Sequence, residues 1–503
     1  MPRFGTDKVT QVLAAGLRWL FTAQGELKEQ ALRGTIWLVL AEAATRLAGV
    51  AKVAVLGRLL SPRDFGLLGV ALLIQQWIGS ITQTGISSTL VQKKGDVREY
   101  LDTAWTISLI RGTAVFAIIY GLAPWGASYF RTPEAVPVIR SIALLTLPWE
   151  LVNPAVVQLR RELDFRKDVA WRLSGVLPGL VTGVVLAIIL RNVWALVGSL
   201  IASRSVEVLA SYRIRPERPR LEFDRLKARE LMRTGKWFSW MNVAGFLEYQ
   251  LDSLFTARWL GARALGYYQV AAQVALLPTA GLGSQVAAVL FPAFARLKDG
   301  ERLRRTFLAS VGALALTIAP LACALSLYAD TLVRLALGPQ WAPIATTLAW
   351  LAWAGLARSL GGAGTSLFQA TGRLKTAMAF QLLRVLVLAA LLWALVPRFG
   401  FLGTAMAVTL AALLVMAPQL ALAARLLGVR SGDMLSALAG GILAAAPLLL
   451  LGLAVIPLSL SWRLAALALA GACSLAIVLW QLRSRFGLNL EMLRVSEPVA
   501  SRE

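Results

Sequence analysis

The sequence predicts an all-α, polytopic membrane protein. It should have about fourteen transmembrane helices: two six-helix lobes related by a pseudo-two-fold axis, plus two C-terminal helices. Three observations predict this. Of 503 residues, 57% are hydrophobic and only 16% charged, with a mean hydropathy of +0.66, whereas a soluble chain of this length needs far more polar surface. Apolar runs of spanning length recur from end to end. Finally, GRLLSPRDFGLLGVALLI (57–74) is echoed 200 residues later by ARWLGARALGYYQVAAQV (257–274), with six identities in eighteen positions.

Taken in order, residues 1–33 read as a cytoplasmic amphipathic segment. Val9, Val12, Leu13, Leu17 and Leu20 recur at helical spacing beside Lys8, Gln11 and Arg18, which suits a helix lying on the inner membrane surface. A crossing needs roughly 20 mostly apolar residues. The runs that qualify are 34–56, 65–90, 104–124, 136–159, 170–190, 192–212, 235–260, 265–291, 303–328, 343–370, 374–396, 401–427, 433–456 and 461–482. They group into a first lobe (34–212), a cytoplasmic linker (213–234), a second lobe (235–427), spans 13 and 14 (428–482) and a cytoplasmic tail (483–503).

Orientation follows from the basic residues. With the N-terminus inside, roughly 34 Lys and Arg fall in inner loops and tails against roughly 8 outside, so both termini are expected in the cytoplasm. The same asymmetry accounts for the formal charge of +24 without nucleic acid, for which no basic soluble face exists. The outer loops are short, the longest being about a dozen residues around Tyr328 to Pro343, so the work is expected inside the membrane. Cys323 and Cys473 sit singly in apolar runs, and the chain has no histidine. No disulfide framework, metal site or cofactor is therefore predicted, and the commonest general base is absent.

The echo aligns Arg58 with Arg258, Leu60 with Leu260, Arg63 with Arg263, Gly66 with Gly266, Val70 with Val270 and Ala71 with Ala271. Trp37 and Trp237 extend the register. Chance would give about one or two identities in such a window. Because each lobe holds an even number of spans, the repeats enter the membrane in the same sense. Their axis then lies along the membrane normal, as in alternating-access transporters.

Nine basic residues fall within spans: Arg46, Lys52, Arg111, Arg140, Arg172, Arg204, Arg358, Arg384 and Arg463. The acidic counterparts are Glu42, Glu150, Glu207, Glu248 and Asp252. Each charge at the helix centre costs about 2.5–3.5 kcal/mol on insertion scales, so each needs a partner, a wet cavity or an escape to the interface. Arg46, Lys52, Arg358 and Arg384, with Gln75 and Gln273, are the expected lining of an anion-binding cavity, where Arg offers paired donors and Lys a point charge. Glu42, Glu150, Glu248 and Asp252 are expected as coupling or inter-lobe gate residues, with a bridge from Arg46 or Lys52 to Glu248 or Asp252 in one state. Arg58 and Arg258 are expected at the outer rim. Prolines and glycines at 148, 154, 178, 278, 281, 283, 320, 361, 362 and 364 would bend spans and let the lobes rock.

GRLLSPRDFGLLGVALLI after a charged first span, LGYYQVAAQVALLP and FPAFARLKDG resemble the polysaccharide-exporter branch of the multidrug/oligosaccharidyl-lipid/polysaccharide superfamily, particularly its Wzx-like flippases of colanic-acid and teichuronic-acid type. The resemblance covers about residues 30–430. It implies a V-shaped transporter, not an enzyme, that moves undecaprenyl-diphosphate-linked oligosaccharide across the inner membrane for lipopolysaccharide or exopolysaccharide synthesis, with a polymerase and a chain-length regulator as partners. Related peptidoglycan-precursor flippases carry two basic residues six apart in span 1, which Arg46 and Lys52 match. They also carry an arginine in span 2, where this chain has only glutamines. A lipid II flippase, a cation-coupled drug exporter and a membrane glycosyltransferase or polymerase are the competing functions.

Overall fold

The computed structural model describes residues 45, 48–83, 85, 86, 89, 90, 97–162, 164–297, 299–455 and 459–486; at 160, 161, 165, 232–244, 460 and 482–486 it describes the backbone alone. The amphipathic segment 1–33, most of span 1 and the tail beyond 486 lie outside the described residues. Among those described the chain is helical, with no strand.

Helix α1 (48–59) ends where LSPRD begins α2 (Pro62–Thr82). The corner is built by Ser61, whose backbone N–H donates to the Asp64 carboxylate at 2.9 Å while its hydroxyl accepts from the Asp64 N–H, with Pro62 at the first helical position. Helix α3 (Arg98–Tyr129) follows. The predicted fourth span, 136–159, is not one helix. It is α4 (Val136–Leu144), α5 (Thr146–Glu150), a 3₁₀ turn (Pro154–Val156) and α6 (Val157–Arg161), because Pro148 and Pro154 remove backbone donors. Buried Asn153 closes that break by accepting from Ala155 N–H at 3.0 Å and donating to the Glu217 carbonyl at 2.8 Å.

Helices α7 (Phe165–Ser174), α8 (Val176–Leu190) and α9 (Val193–Ile214) complete the N-terminal half. After the linker, Asp224 caps α10 (Arg225–Leu276), which is interrupted at Gly261 with φ 79°. Then come α11 (Thr279–Arg296), α12 (Gly300–Leu327), α13 (Ala329–Ala336), a 3₁₀ turn (Pro339–Ile344) and α14 (Ala345–Ala370). Helix α15 (Leu374–Leu426) is interrupted at Gly400 with φ 59°, and α16 (Ser431–Val455) and α17 (Leu460–Phe486) end the described fold.

Among the described residues eight helices are long and apolar enough to cross a bilayer, or up to nine if a bent pair within α10–α11 is one span. Positive-φ glycines break two helical runs of more than 50 residues, so helical runs and crossings are not the same tally. Ile189 (69% exposed), Ile442 (71%) and Trp393 (71%) show the inverted surface of a protein solvated by lipid.

The close contact between the two halves joins α2 to α10, and it is reciprocal. A Cβ at Gly66 would overlap the Ala262 carbonyl, and a Cβ at Gly266 would overlap the Pro62 carbonyl. Positions 62 and 262 are themselves equivalent in the repeat, and Gly69 faces Gln269. Each strand of the echo thus packs its glycine on the other's backbone, the self-complementary pattern of a two-fold interface. Nearby, the predicted outer loop is folded: Trp341 is fully buried and donates to the Gly57 carbonyl at 2.7 Å, and Gln340 donates to the same carbonyl at 2.6 Å.

Gly66→Val and Gly266→Val should each lower the melting temperature of the purified protein in detergent, because the new side chain meets backbone that cannot yield; overpacking of this kind costs about 1–3 kcal/mol. Gly79→Ala on the same helix, where a Cβ meets nothing within 4 Å, should leave it unchanged. Equal melting of all three would contradict the backbone contact.

Candidate functional site

Two polar groups sit within the helices, one in each half of the chain. In the N-terminal half, α1 carries half-buried Lys52, which has no ion pair among the described residues. Arg204 on α9 is close enough to act on it electrostatically. Arg204 is itself only partly neutralised: it pairs with Glu207 at 2.6 Å and lies 3.8 Å over the Trp149 ring. Among the described residues, two cations against one carboxylate leave this corner net positive, which favours a bound anion. Glu150, expected at a gate between lobes, instead pairs with Arg111 within the same half; Gly112 leaves room for its side chain.

In the C-terminal half, Arg384 on α15 pairs with Glu248 on α10 at 2.7 Å, with the two side chains 17% and 11% exposed. Gln381, one turn away on the same face, donates to the other Glu248 oxygen at 2.8 Å. Both carboxylate oxygens are therefore engaged. Among the described residues the buried Arg384 Nε has no acceptor and the buried Gln419 Oε1 has no donor, although the Gln419 amide donates to Thr365 at 2.7 Å. Gly361 makes the room for these two side chains, since a Cβ there would meet both. Half-buried Arg358 has no ion pair among the described residues and lies within electrostatic reach of Tyr249 and Tyr268. Asp252, 4% exposed, accepts from the Tyr268 hydroxyl at 2.6 Å.

Glu42 and Arg46 lie outside the described residues. The expected bridge from Lys52 to Glu248 or Asp252 is not formed, because those carboxylates take nearer partners on α10 and α15. Gln273 reaches α1, where a Cβ at Gly49 would lie 3.7 Å from its amide nitrogen. Gln75 is half-buried, and its neighbour Gln76 accepts from Gln250 at 2.8 Å across the α2–α10 contact. Arg58 donates to the Leu335 and Ala336 carbonyls at the end of α13. Arg258 stacks on Tyr129 at 5.0 Å. Sequence reading missed Gln381 and Gln419 because an amide in an apolar helix carries no charge signal, although Gln381 stands three residues before Arg384.

The helical fold is like that of two solved membrane transporters. A lipid II flippase, MurJ, in an inward closed conformation superposes with a TM-score of 0.72 at 13% identity, covering 90% of this chain and all (100%) of that one. A multidrug resistance MATE family transporter of the MOP superfamily superposes with a TM-score of 0.61 at 15% identity, covering 76% and 94%. Residues 55–346 match the family of polysaccharide biosynthesis proteins, and the chain belongs to that family. The lipopolysaccharide biosynthesis protein WzxC of Escherichia coli (strain K12) is 29% identical over 367 residues, 71% of this chain and 73% of that protein.

Removing Arg384 alone should be far more damaging than removing the pair. Arg384→Ala leaves a buried, uncompensated carboxylate, a loss of about 3–5 kcal/mol where a buried pair is broken on one side. Thermal unfolding of the purified protein should therefore rank Arg384→Ala below the double variant Arg384→Ala with Glu248→Gln. The reverse ranking would mean that Glu248 is solvated.

Proposed function

We propose that the chain is a flippase that carries undecaprenyl-diphosphate-linked oligosaccharide across the inner membrane, from the cytoplasmic to the outer leaflet, for polysaccharide synthesis. Membership of the polysaccharide biosynthesis family is the observation that carries this reading. The cations Lys52 and Arg358, held at span depth without an ion pair among the described residues, supply its chemistry. An unpaired cation at that depth is expensive, and a diphosphate entering between the halves would offset the cost while it is bound. The two lobes, 34–212 and 235–427, would alternate access by rocking about the α2–α10 glycine contact, with both termini in the cytoplasm. A polymerase and a chain-length regulator would act on the delivered product, and the protein itself makes or breaks no covalent bond.

A second reading, transport of lipid II, is favoured by the superposition on MurJ. The missing arginine in span 2 argues against it: Gln75, Gln76 and Gln83 stand there.

Lys52→Ala and Arg358→Ala should each reduce polymer export at least tenfold while membrane insertion is unchanged, and the lipid-linked repeat unit should accumulate on the inner leaflet. Lys52→Arg should retain export. Normal export by both alanine variants would remove the anion-binding role. Growth of cells depleted of their own lipid II flippase, upon expression of this chain, would transfer the assignment to the second reading.

A further inference from the structure

Equivalent arginines of the repeat have different fates. Arg58 spends its guanidinium on the carbonyls that end α13, a favourable place for a cation because the helix dipole is negative there. Arg258 has no such acceptor. Among the described residues its guanidinium makes no hydrogen bond or ion pair and lies over the face of Tyr129, 5.0 Å from the ring centroid.

Arg258 also stands at the rim of a cavity. A trough of about 460 Å³ runs between α2, α3 and the first leg of α10, and among its described lining residues Arg258 is the only charged one. Its walls are Trp77 from α2, Trp125 and Tyr129 from α3, and Leu251, Phe255 and Trp259 from α10. Gly126 keeps the floor thin, since a Cβ there would press on Ile74. Trp125 is 57% exposed and Trp77 42%, so the trough opens sideways onto the lipid-facing surface. An apolar channel with one unengaged guanidinium at its end has the shape and charge for an anionic lipid: the chain lies against the aromatic wall, and the phosphate meets paired donors.

We propose that this trough is a binding site for a polyisoprenyl diphosphate, with Arg258 holding the diphosphate and the Trp77–Trp125–Trp259 wall holding the first isoprene units. The proposal rests on the flippase reading, whose cargo keeps its polyisoprenyl diphosphate anchor and must leave by a lateral opening. It adds where that lipid sits after translocation. Arg258 lies one turn before the Gly261 break, at the end of α10 that the loop charges assign to the outside. The site is therefore an exit station, separate from Lys52 and Arg358. Its two walls come from different halves of the chain, so the rocking that moves cargo would also open and close it.

The test uses the full-length protein in phosphatidylcholine nanodiscs and a photoreactive undecaprenyl diphosphate, with labelled peptides mapped by mass spectrometry. Labelling is expected at residues 122–130 and 247–259. It should fall at least fivefold in Arg258→Gln, be largely retained in Arg258→Lys, and fall in Trp125→Ala, whose exposed side chain can be removed without opening the core. Photoreactive undecaprenol, which lacks the diphosphate, should label wild type and Arg258→Gln alike. Equal labelling of Arg258→Gln and wild type by the diphosphate probe would overturn the proposal. So would displacement by added phosphatidylglycerol as effective as by unlabelled undecaprenyl diphosphate. Labelling confined to peptides around Lys52 and Arg358 would overturn the exit site and leave the flippase reading standing, whereas no specific labelling anywhere would overturn both.

Discussion

Two glycines 200 residues apart allow one half of this chain to touch the other at backbone distance. Gly66 accepts the carbonyl of position 262 and Gly266 the carbonyl of position 62, so the contact maps onto itself when the halves are exchanged. Lipid supplies no hydrophobic drive for helix association, which leaves close packing through small residues as the means of holding helices together. At these two positions backbone meets backbone, with no side chain between them. The 3₁₀ turn and α13 are anchored near this joint: the Gly57 carbonyl takes both Trp341 and Gln340, and Arg58 reaches the end of α13.

Below that joint the charges are settled mostly within each half. Arg111 takes Glu150, Arg204 takes Glu207, and Glu248 takes Arg384 with Gln381. An ion pair that closes inside one half survives any movement of the other, so these pairs can hold bent or broken helices through a cycle without opposing it. The broken fourth span is a case in point, because Glu150 ends α5 next to Leu151 and Asn153, where regular helix stops. Lys52 and Arg358 differ from this set. Left without ion pairs among the described residues, one in each half, they are the cations for which a transported anion would matter.

Much of this was legible in the sequence, and the failures have physical causes. Hydropathy located many of the helices because lipid demands long apolar runs; the echo marked Gly66 and Gly266 as equivalent but did not say that the two copies touch. Continuity was misread where Pro148 and Pro154 interrupt an otherwise apolar stretch, since hydropathy is blind to missing donors. Pairing is less legible than continuity. A bridge from Arg46 or Lys52 to Glu248 or Asp252 is expected in one state; in this one Asp252 takes Tyr268 sixteen residues on, and Glu248 takes Arg384. Spacing along one helix says which residues share a face. It does not say which neighbour that face meets.

The repeat also shows where to look for function. A symmetric fold satisfies equivalent residues in equivalent ways unless something has broken the equivalence, and here the joint obeys the symmetry while the arginines beside it do not. Arg58 is consumed by the end of α13; in the other half the chain places Tyr129 and an apolar trough before Arg258 instead of a helix terminus. A guanidinium stacked on one ring recovers only part of its lost hydration, because cation–π contact is worth about 0.5–2 kcal/mol. Its donors make no hydrogen bond among the described residues, and the residue lines the trough. In a protein whose halves otherwise mirror one another at their contact, that remaining capacity points to a ligand from outside the chain, and the apolar walls restrict it to one with a lipid chain.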